Sequence, residues 1–220
     1  MKKTTILLAL IGCSYASNAQ VVIGQEGGLL TFRNNDTSKE NITGSQYYNE
    51  NFSIASVNNG PGEFQIRYNN FKDVMEYEQK PGEYLELIKD QNYIVAFRNG
   101  ETYHYKKYND SKGKPVNGYL LVVGTDDNVT LYRTNRKGYK AGTKASNSYT
   151  TDTPASYINE KVEYYLEKDG KVIPIENKSR VFQKAFPSKE NEIKDYFKKN
   201  KINFENKSEV NKLLQFVKTL

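Results

Sequence analysis

The chain has 220 residues, a formal net charge of +6 and one cysteine, Cys13. A single cysteine excludes an internal disulfide framework, zinc ribbons and iron–sulfur centres, which all need several thiols. The 18 tyrosines and 10 phenylalanines, without any tryptophan, are typical of strands with half-buried faces.

Residues 1–19 match a bacterial secretory signal. Lys2 and Lys3 are followed by a short apolar run at 6–11, and Ser17-Asn18-Ala19 is a small-residue cleavage site. We therefore expect an exported protein, periplasmic or extracellular, whose mature chain begins near Gln20. About 200 residues then remain, enough for one domain with a substantial core.

The same segment has a second interpretation, as a lipoprotein signal. Leu10-Ile11-Gly12-Cys13 fits a lipobox, in which Cys13 would be acylated and would anchor the protein to a membrane. One acyl chain anchors weakly, so stable attachment would need a second lipid. Cleavage at Ala19 is favoured because the apolar run before Cys13 is very short. No later segment has the roughly 18 apolar residues of a membrane-spanning helix.

Alternation of apolar and polar residues dominates to about residue 175 and predicts strands. The first four predicted strands are 29–32, 52–57, 63–68 and 73–78. In the last two, Arg67 and Glu76 or Glu78 are expected to form an exposed pair on an outer, wet face. The alternative is a hydrolase site built from Asp73, Glu76 and Glu78, which would need burial to raise a pKa.

Three hairpins are marked by turn residues. Asn99-Gly100 separates 93–97 from 102–108, and Asp169-Gly170 separates 161–166 from 172–175; both dipeptides suit type I′ turns. Asp126-Asp127-Asn128 separates a third pair of strands. Roughly nine to eleven strands without crossover helices predict a mainly β fold, an antiparallel meander or a hairpin-built sandwich, barrel or curved sheet.

Helical periodicity begins near residue 178 and predicts two to three short C-terminal helices. A first helix should end at Pro187, Ser188 should cap a second, and Asn206 or Ser208 should cap the last. The expected buried residues of the last two helices are Ile193, Tyr196, Phe197, Val210, Leu213, Leu214 and Val217. We thus divide the mature chain into a β domain at 20–176 and a helical segment at 177–220 packed on it.

Several short motifs resemble an uncharacterised family of exported proteins, periplasmic or at the cell surface, from Bacteroidota-type bacteria. They are Gly44-Ser45-Gln46-Tyr47, Arg67-Tyr68-Asn69, Asp73-Val74-Met75-Glu76, Gly118-Tyr119, Leu131-Tyr132, Pro154-Ala155-Ser156-Tyr157 and Tyr164-Tyr165-Leu166. The resemblance implies an envelope location and a bacterial source, and it transfers no activity and no catalytic residue.

No metal, cofactor or catalytic site is predicted. His104, the only histidine, lies on a predicted strand and is interpreted as a structural residue with a satisfied ring, because a metal site needs three or four ligands. The acidic turns at 110–113 and 126–128 could hold calcium but lack the ligand pattern of an EF-hand. Turn formation explains both.

Acidic residues are in excess over 20–130 and basic residues over 131–220, and residues 132–149 contain no Asp or Glu. The candidate anion-binding residues in this basic segment are Arg133, Arg136, Lys137, Tyr139, Lys140 and Lys144. Their charges and rings would suit phosphates or acidic glycans. The competing interpretation, which we favour, is a solvated flexible loop.

These features favour an exported, non-catalytic β-rich protein that binds or scaffolds an envelope protein, lipid or glycan. The chain has no nucleophile elbow, phosphate loop or cofactor motif, and no specific nucleic-acid partner is expected. One alternative is the carboxylate-dependent hydrolase. The other is binding of a polyanion or acidic glycan through the basic segment.

Overall fold

The computed structural model describes residues 42–60, 62–89, 92–126, 129–145, 149 and 151–220, together with the backbone of 19–23 and 29–34. The predicted signal residues Lys2, Lys3, Ser17 and Asn18, the lipidation candidate Cys13, and the turn residues Asp127 and Asn128 lie outside the described residues. The signal and lipidation interpretations therefore stay predictions.

The described chain contains strands followed by helices. The strands are β1 (Ala19–Ile23), β2 (Leu29–Asn34), β3 (Ser53–Val57), β4 (Glu63–Asn69), β5 (Val74–Lys80), β6 (Glu83–Leu87), β7 (Ile94–Phe97), β8 (Thr102–Asn109), β9 (Pro115–Asp126), β10 (Val129–Arg133), β11 (Lys137–Lys140), β12 (Ser156–Asn159), β13 (Tyr164–Lys168) and β14 (Lys171–Pro174). The helices are α1 (Lys178–Ala185), α2 (Glu190–Lys199) and α3 (Lys207–Lys218), with a 3-10 turn at Pro187–Lys189 before α2.

Twelve strands form one antiparallel sheet in the order β1-β2-β6-β5-β4-β3-β7-β8-β9-β10-β13-β14, and β11 and β12 form a separate ribbon. The predicted class, mainly β with short C-terminal helices, is confirmed. Most neighbours are hairpin partners, but β2 pairs with β6, β3 with β7 and β10 with β13. These three non-sequential pairings bring residues distant in sequence side by side in the sheet.

The predicted turns are confirmed at one hairpin and corrected at another. Asp169 and Gly170 both have positive φ, 51° and 73°, as a type I′ turn requires. At the other hairpin only Gly100 is left-handed, with φ 92°, and the Phe97 N–H donates to the Glu101 carbonyl at 2.8 Å. This is the longer loop in which a type I turn is followed by a left-handed glycine, so the type I′ prediction is wrong there.

The helices bury their apolar sides against the sheet. Leu131 of β10 and Leu166 of β13 share a fully buried cluster with Phe182, Ile193 and the predicted face of α3. Close packing requires Gly124 on β9, because a Cβ there would lie 2.8 Å from Leu214. None of the helices in the described ranges is long and apolar enough to cross a membrane.

The capping predictions have mixed outcomes. The Asn206 side chain accepts hydrogen bonds from the Ser208 and Glu209 N–H groups and caps α3, as predicted for one of its two candidates. Ser188 does not cap α2. It lies within the 3-10 turn, and the residue that precedes α2, Lys189, makes no side-chain cap.

We expect Leu213→Ala to lower the free energy of unfolding by about 2–5 kcal/mol, because it leaves a cavity under α3. Chemical denaturation followed by circular dichroism measures this change. The matched control is Gln215→Ala on the exposed side of the same helix, for which we expect a change within about 0.5 kcal/mol. Similar losses for both variants would show that α3 is not packed as described.

Candidate functional site

Arg67 on β4 is enclosed by aromatic rings. The central carbon of its guanidinium lies 4.2 Å from the centroid of the Tyr47 ring, 4.3 Å from that of Phe52 and 4.7 Å from that of Tyr84. Two of these rings come from the segment 42–52, which we call the cover segment. Each ring face attracts the cation electrostatically, so the cover segment is held across this face of the sheet.

Glu76 lies opposite Arg67 on β5 and is completely buried. Its carboxylate accepts hydrogen bonds from Arg67 Nε at 2.7 Å and from Asn69 Nδ2 at 2.8 Å. The Tyr47 hydroxyl also donates to it, at 2.9 Å. Burial, reinforced by the Glu76 charge, raises the pKa of Tyr47 well above 10, which keeps this donor protonated.

The predicted pairing of Arg67 with Glu76 is present, but the prediction that these ionic residues face water is wrong, since their side chains are 14% and 0% exposed. Glu86 on β6, which pairs with Glu76, is also buried. Alternation along the strands predicts correctly which side chains share a face. It does not show that the cover segment lies over the charged face as well.

Asp73 forms a second buried ionic centre, in the turn between β4 and β5. It has a φ of 55° and accepts hydrogen bonds from the Tyr68 hydroxyl at 2.7 Å and the Tyr119 N–H at 3.1 Å. Lys89 Nζ and Arg136 Nη2 lie 3.0 and 3.1 Å from its other oxygen. The hairpin turn is thereby joined to β9 and to the basic segment.

A glycine on β9 makes room for this centre. A Cβ at Gly118 would lie 2.2 Å from Arg136 Nη2 and 2.3 Å from Asp73 Oδ2. Only a residue without a side chain lets the two charged groups meet over the strand at this point. Gly118 provides this space, and the next residue, Tyr119, donates its backbone N–H to Asp73.

Among the three carboxylates considered for a hydrolase site, no two form a pair that substrate could reach. Glu76 and Asp73 are buried and accept hydrogen bonds from several donors each. Glu78 lies near the outer end of β5, where its Oε1 accepts a long hydrogen bond from the Gly82 N–H at 3.4 Å. The arrangement is that of structural carboxylates.

A polar cleft of about 260 Å³ opens beside Arg67. Amides and rings dominate its walls. The lining residues are Tyr48, Asn49, Asn51, Ser53, Arg67, Tyr68, Asn70, Phe97, Asn99, Glu101, Tyr103 and Asn135. We call this the amide cleft, because five of its lining residues are asparagines.

Internal hydrogen bonds position the floor of the amide cleft. Asn70 is buried; its Oδ1 accepts from the Tyr48 N–H at 2.8 Å and its Nδ2 donates to the Asn135 carbonyl at 2.7 Å. Asn135 Nδ2 in turn donates to the Tyr103 hydroxyl at 2.8 Å. Asn49 and Asn51, at the mouth, are exposed, and the Asn49 Oδ1 accepts a hydrogen bond from the Asn51 N–H at 3.1 Å.

The basic segment divides between the interior and the surface. Arg136 is committed to Asp73 and also donates to the Tyr108 hydroxyl at 3.1 Å. Lys137 Nζ lies 4.8 Å from the centre of the Tyr48 ring. Tyr139, Lys140 and Lys144 are exposed, and Arg133 is half-buried.

The prediction that this whole segment is a flexible loop is wrong for Lys137–Lys140, which form β11 and pair with β12. The composition of this segment favours a loop. The strand forms only because it pairs with residues 156–159, which lie later in the chain. Arg136 was expected at the surface. Its partner Asp73 lies 63 positions earlier, and no local pattern signals that contact.

His104 lies in a hydrogen-bonded network on β8, as predicted for a satisfied ring. Its Nδ1 lies 2.7 Å from the Tyr132 hydroxyl, which donates to Glu167 at 2.6 Å. Lys106 Nζ donates to the same carboxylate at 2.8 Å. Since the Tyr132 proton goes to Glu167, His104 Nδ1 must be the donor in its own bond. Burial and then the Lys106 charge lower the pKa of His104.

Within the described ranges, no group of three or more His, Cys, Asp or Glu side chains could hold a metal ion. Compared with protein-family models, curated proteins and solved structures, the chain matches none of them. The function is therefore argued from the geometry of the site.

We expect Arg67→Met to lower the free energy of unfolding by about 3–5 kcal/mol, because it removes the guanidinium from a buried ion pair. Denaturant titration measures the loss. Arg98→Met is the matched control, because Arg98 pairs with Glu63 in solvent, where both side chains are more than half exposed. We expect a change below about 1 kcal/mol there, and equal effects would contradict the buried role of Arg67.

A second prediction concerns pH. The pKa of His104 is lowered from 6.5 in the folded chain, so the unfolded chain binds more protons below that value. The free energy of unfolding should therefore fall as the pH drops below about 6.5. His104→Gln should flatten the profile between about pH 7 and pH 5. Parallel profiles for the two proteins would refute this assignment. Hydrogen bonds from Lys106 and Tyr132 lower the pKa of Glu167, although burial alone would raise it. The titration of Glu167 therefore affects stability at lower pH than that of His104.

Proposed function

We propose that the protein is an exported, non-catalytic binding protein of the bacterial envelope and that its ligand is a saccharide held in the amide cleft. The observation that carries this proposal is the lining of the cleft, in which five asparagines and four aromatic side chains surround about 260 Å³. A concave site with convergent polar groups and apolar rings is the usual form of a small-molecule site.

The chemistry of the lining suits sugars. Each asparagine amide offers two donors and an acceptor, and sugar hydroxyls need both kinds of partner. The C–H faces of a sugar ring are apolar and pack against aromatic faces such as Tyr48. The charges of the cleft are few: Arg67 is already paired with Glu76, and Glu101 is exposed. Because so few charges are available in the cleft, a neutral polar ligand suits it best.

The same lining argues for binding without cleavage. Glycoside hydrolysis commonly needs two carboxyl groups that flank the bond, roughly 5–10 Å apart. Glu101 is the one carboxylate among the described residues that line the cleft. Asp73 and Glu76 are held by internal donors. The hydrolase alternative therefore has little support from the geometry.

The envelope location rests on the sequence. The secretory pattern of residues 1–19 supports export, and the resemblance to exported Bacteroidota-type proteins supports the same compartment. Processing at Ala19 would release a periplasmic or extracellular protein. Processing at Cys13 would instead give a lipoprotein, whose cleft would be held near the membrane surface.

We expect neutral disaccharides and trisaccharides to shift the side-chain amide signals of the cleft asparagines in ¹H–¹⁵N NMR titrations. Asn51→Ala and Asn99→Ala should each weaken binding by about tenfold, the effect of losing one or two hydrogen bonds in a polar site. Calorimetry of the same variants supplies the affinities.

The matched control is Asn211→Ala, which removes an exposed asparagine on α3, outside the cleft. We expect it to bind like the unchanged protein. Saccharides that leave the cleft amides unshifted across the panel would refute the proposal. Shifts confined to residues outside the cleft would refute it equally.

A further inference from the structure

Three aromatic rings lie together at the β11–β12 ribbon. Tyr139 of β11 pairs with Tyr157 of β12, so their side chains point to the same face. The centroids of the Phe71 and Tyr157 rings are 4.9 Å apart. We call Phe71, Tyr139 and Tyr157 the ribbon rings. Tyr139 is 47% exposed and Phe71 38%, and grouped apolar side chains with this exposure usually mark an interaction surface.

The face that carries the ribbon rings has little charge. Alternation along β11 puts Lys137 on the same face as Tyr139 and turns Lys140 to the opposite face. The Glu160 carboxylate lies on that opposite face too, 3.2 Å from where a Cβ on the glycine before Tyr139 would be. Asn159, which pairs with Lys137 and is exposed, adds an uncharged amide beside the rings. An uncharged polar ligand therefore suits this face.

The ribbon rings can hydrogen-bond as well as stack. Neither the Tyr139 hydroxyl nor the Tyr157 hydroxyl makes a hydrogen bond with another described residue. Each hydroxyl can both donate and accept. A sugar ring has apolar C–H faces and hydroxyls around its rim, so a tyrosine can contact it with both its ring and its hydroxyl.

The amide cleft leads directly to the ribbon rings. Tyr48 lines the cleft, and its hydroxyl donates to the Arg136 carbonyl at 3.2 Å. Lys137 Nζ lies 4.8 Å from the centroid of the Tyr48 ring. Asn70 of the cleft is followed in the chain by Phe71, and its carbonyl accepts from the Lys137 N–H at 3.0 Å. A chain-like ligand that leaves the cleft past Tyr48 therefore reaches the ribbon rings.

A second way out of the cleft suits a neutral saccharide less well. It is a groove of about 600 Å³ that shares Asn99 and Glu101 with the cleft. Four charged residues are among its described lining residues: Glu101, Arg133, Glu205 and Lys207. The one aromatic residue in that described lining, Phe204, is 2% exposed. A sugar in this groove would find charges and no open ring face for stacking.

We propose that the ligand is a neutral linear polysaccharide, with one segment in the amide cleft and the adjoining sugars on the ribbon rings. This inference rests on the proposed function, since it extends the same site. Sugars that are tethered to a segment in the cleft meet the rings at a high effective concentration, so a long chain binds more tightly than a short one. Because the rings have only Lys137 beside them, this gain should depend little on salt.

Calorimetry with unbranched, uncharged saccharides of different lengths tests the proposal. The probes are the disaccharides and hexasaccharides of cellulose, amylose and mannan. A hexasaccharide contains several overlapping disaccharides, so a gain in affinity of up to about fivefold is statistical, whereas we expect about twentyfold or more in at least one series. Raising the salt concentration should leave the gain unchanged.

Variants of the ribbon locate the gain. Tyr139→Ala should reduce it to the statistical value and leave the affinity for disaccharides unchanged, whereas Tyr139→Phe, which keeps the ring, should retain most of it. The matched control is Lys140→Ala with Ile158→Ala. It removes exposed side chains from the opposite face of the same two strands and should leave both affinities unchanged.

The outcomes separate the two proposals. A gain no larger than the statistical one in every series, with disaccharides still bound in the cleft, would overturn the extended ligand and leave the proposed function standing. A full gain in Tyr139→Ala, or an equal loss in the control variant, would overturn the assignment to the ribbon rings. Failure of disaccharides and hexasaccharides alike would refute the proposed function itself.

Discussion

A carboxylate is buried in a protein only where other groups replace its water, and Glu76 imposes that constraint on the N-terminal part of the sheet. Removing an ion from water costs several kcal/mol unless charge and hydrogen bonds compensate. Arg67, Asn69 and Tyr47 supply them, and Tyr47 can do so only if the cover segment lies across the strands. That segment also carries the Tyr48 ring and the mouth asparagines to the cleft. The shape of the proposed binding site thus depends on a carboxylate that no ligand reaches.

The sequence predicts the features that local chemistry determines. The alternation of 63–68 places Ile66 and Tyr68 in the core, Asp169-Gly170 forms its type I′ turn, and the apolar stripe of α3 is buried as expected. Alternation reports which side chains share a face, but whether a face is covered depends on contacts between distant segments. For that reason the burial of Glu76, and the pairings of β2 with β6 and β3 with β7, could not be predicted from sequence patterns.

The same limit applies to the candidate site. The amide cleft collects asparagines from positions 49, 51, 70, 99 and 135, each of which looks like an ordinary turn or loop residue in sequence. The basic segment is recognisable by its composition, but composition does not show which of its cations are buried and which are exposed. The fold separates them: Arg136 joins a buried ion pair, whereas Lys140 and Lys144 stay in water. Only the position of Asp73 across β9 makes that distinction.

The short turn between β4 and β5 joins the amide cleft to the basic segment. Asn70 accepts the Tyr48 N–H with its side chain and the Lys137 N–H with its carbonyl, and it donates to Asn135. Three residues later, Asp73 holds Arg136. The cleft and the β11–β12 ribbon are therefore fixed to the same four-residue turn and cannot shift independently without breaking buried polar contacts, which are costly to leave unmade. A cleft held in this way is preorganised, and preorganisation lowers the entropy lost when a flexible ligand is bound.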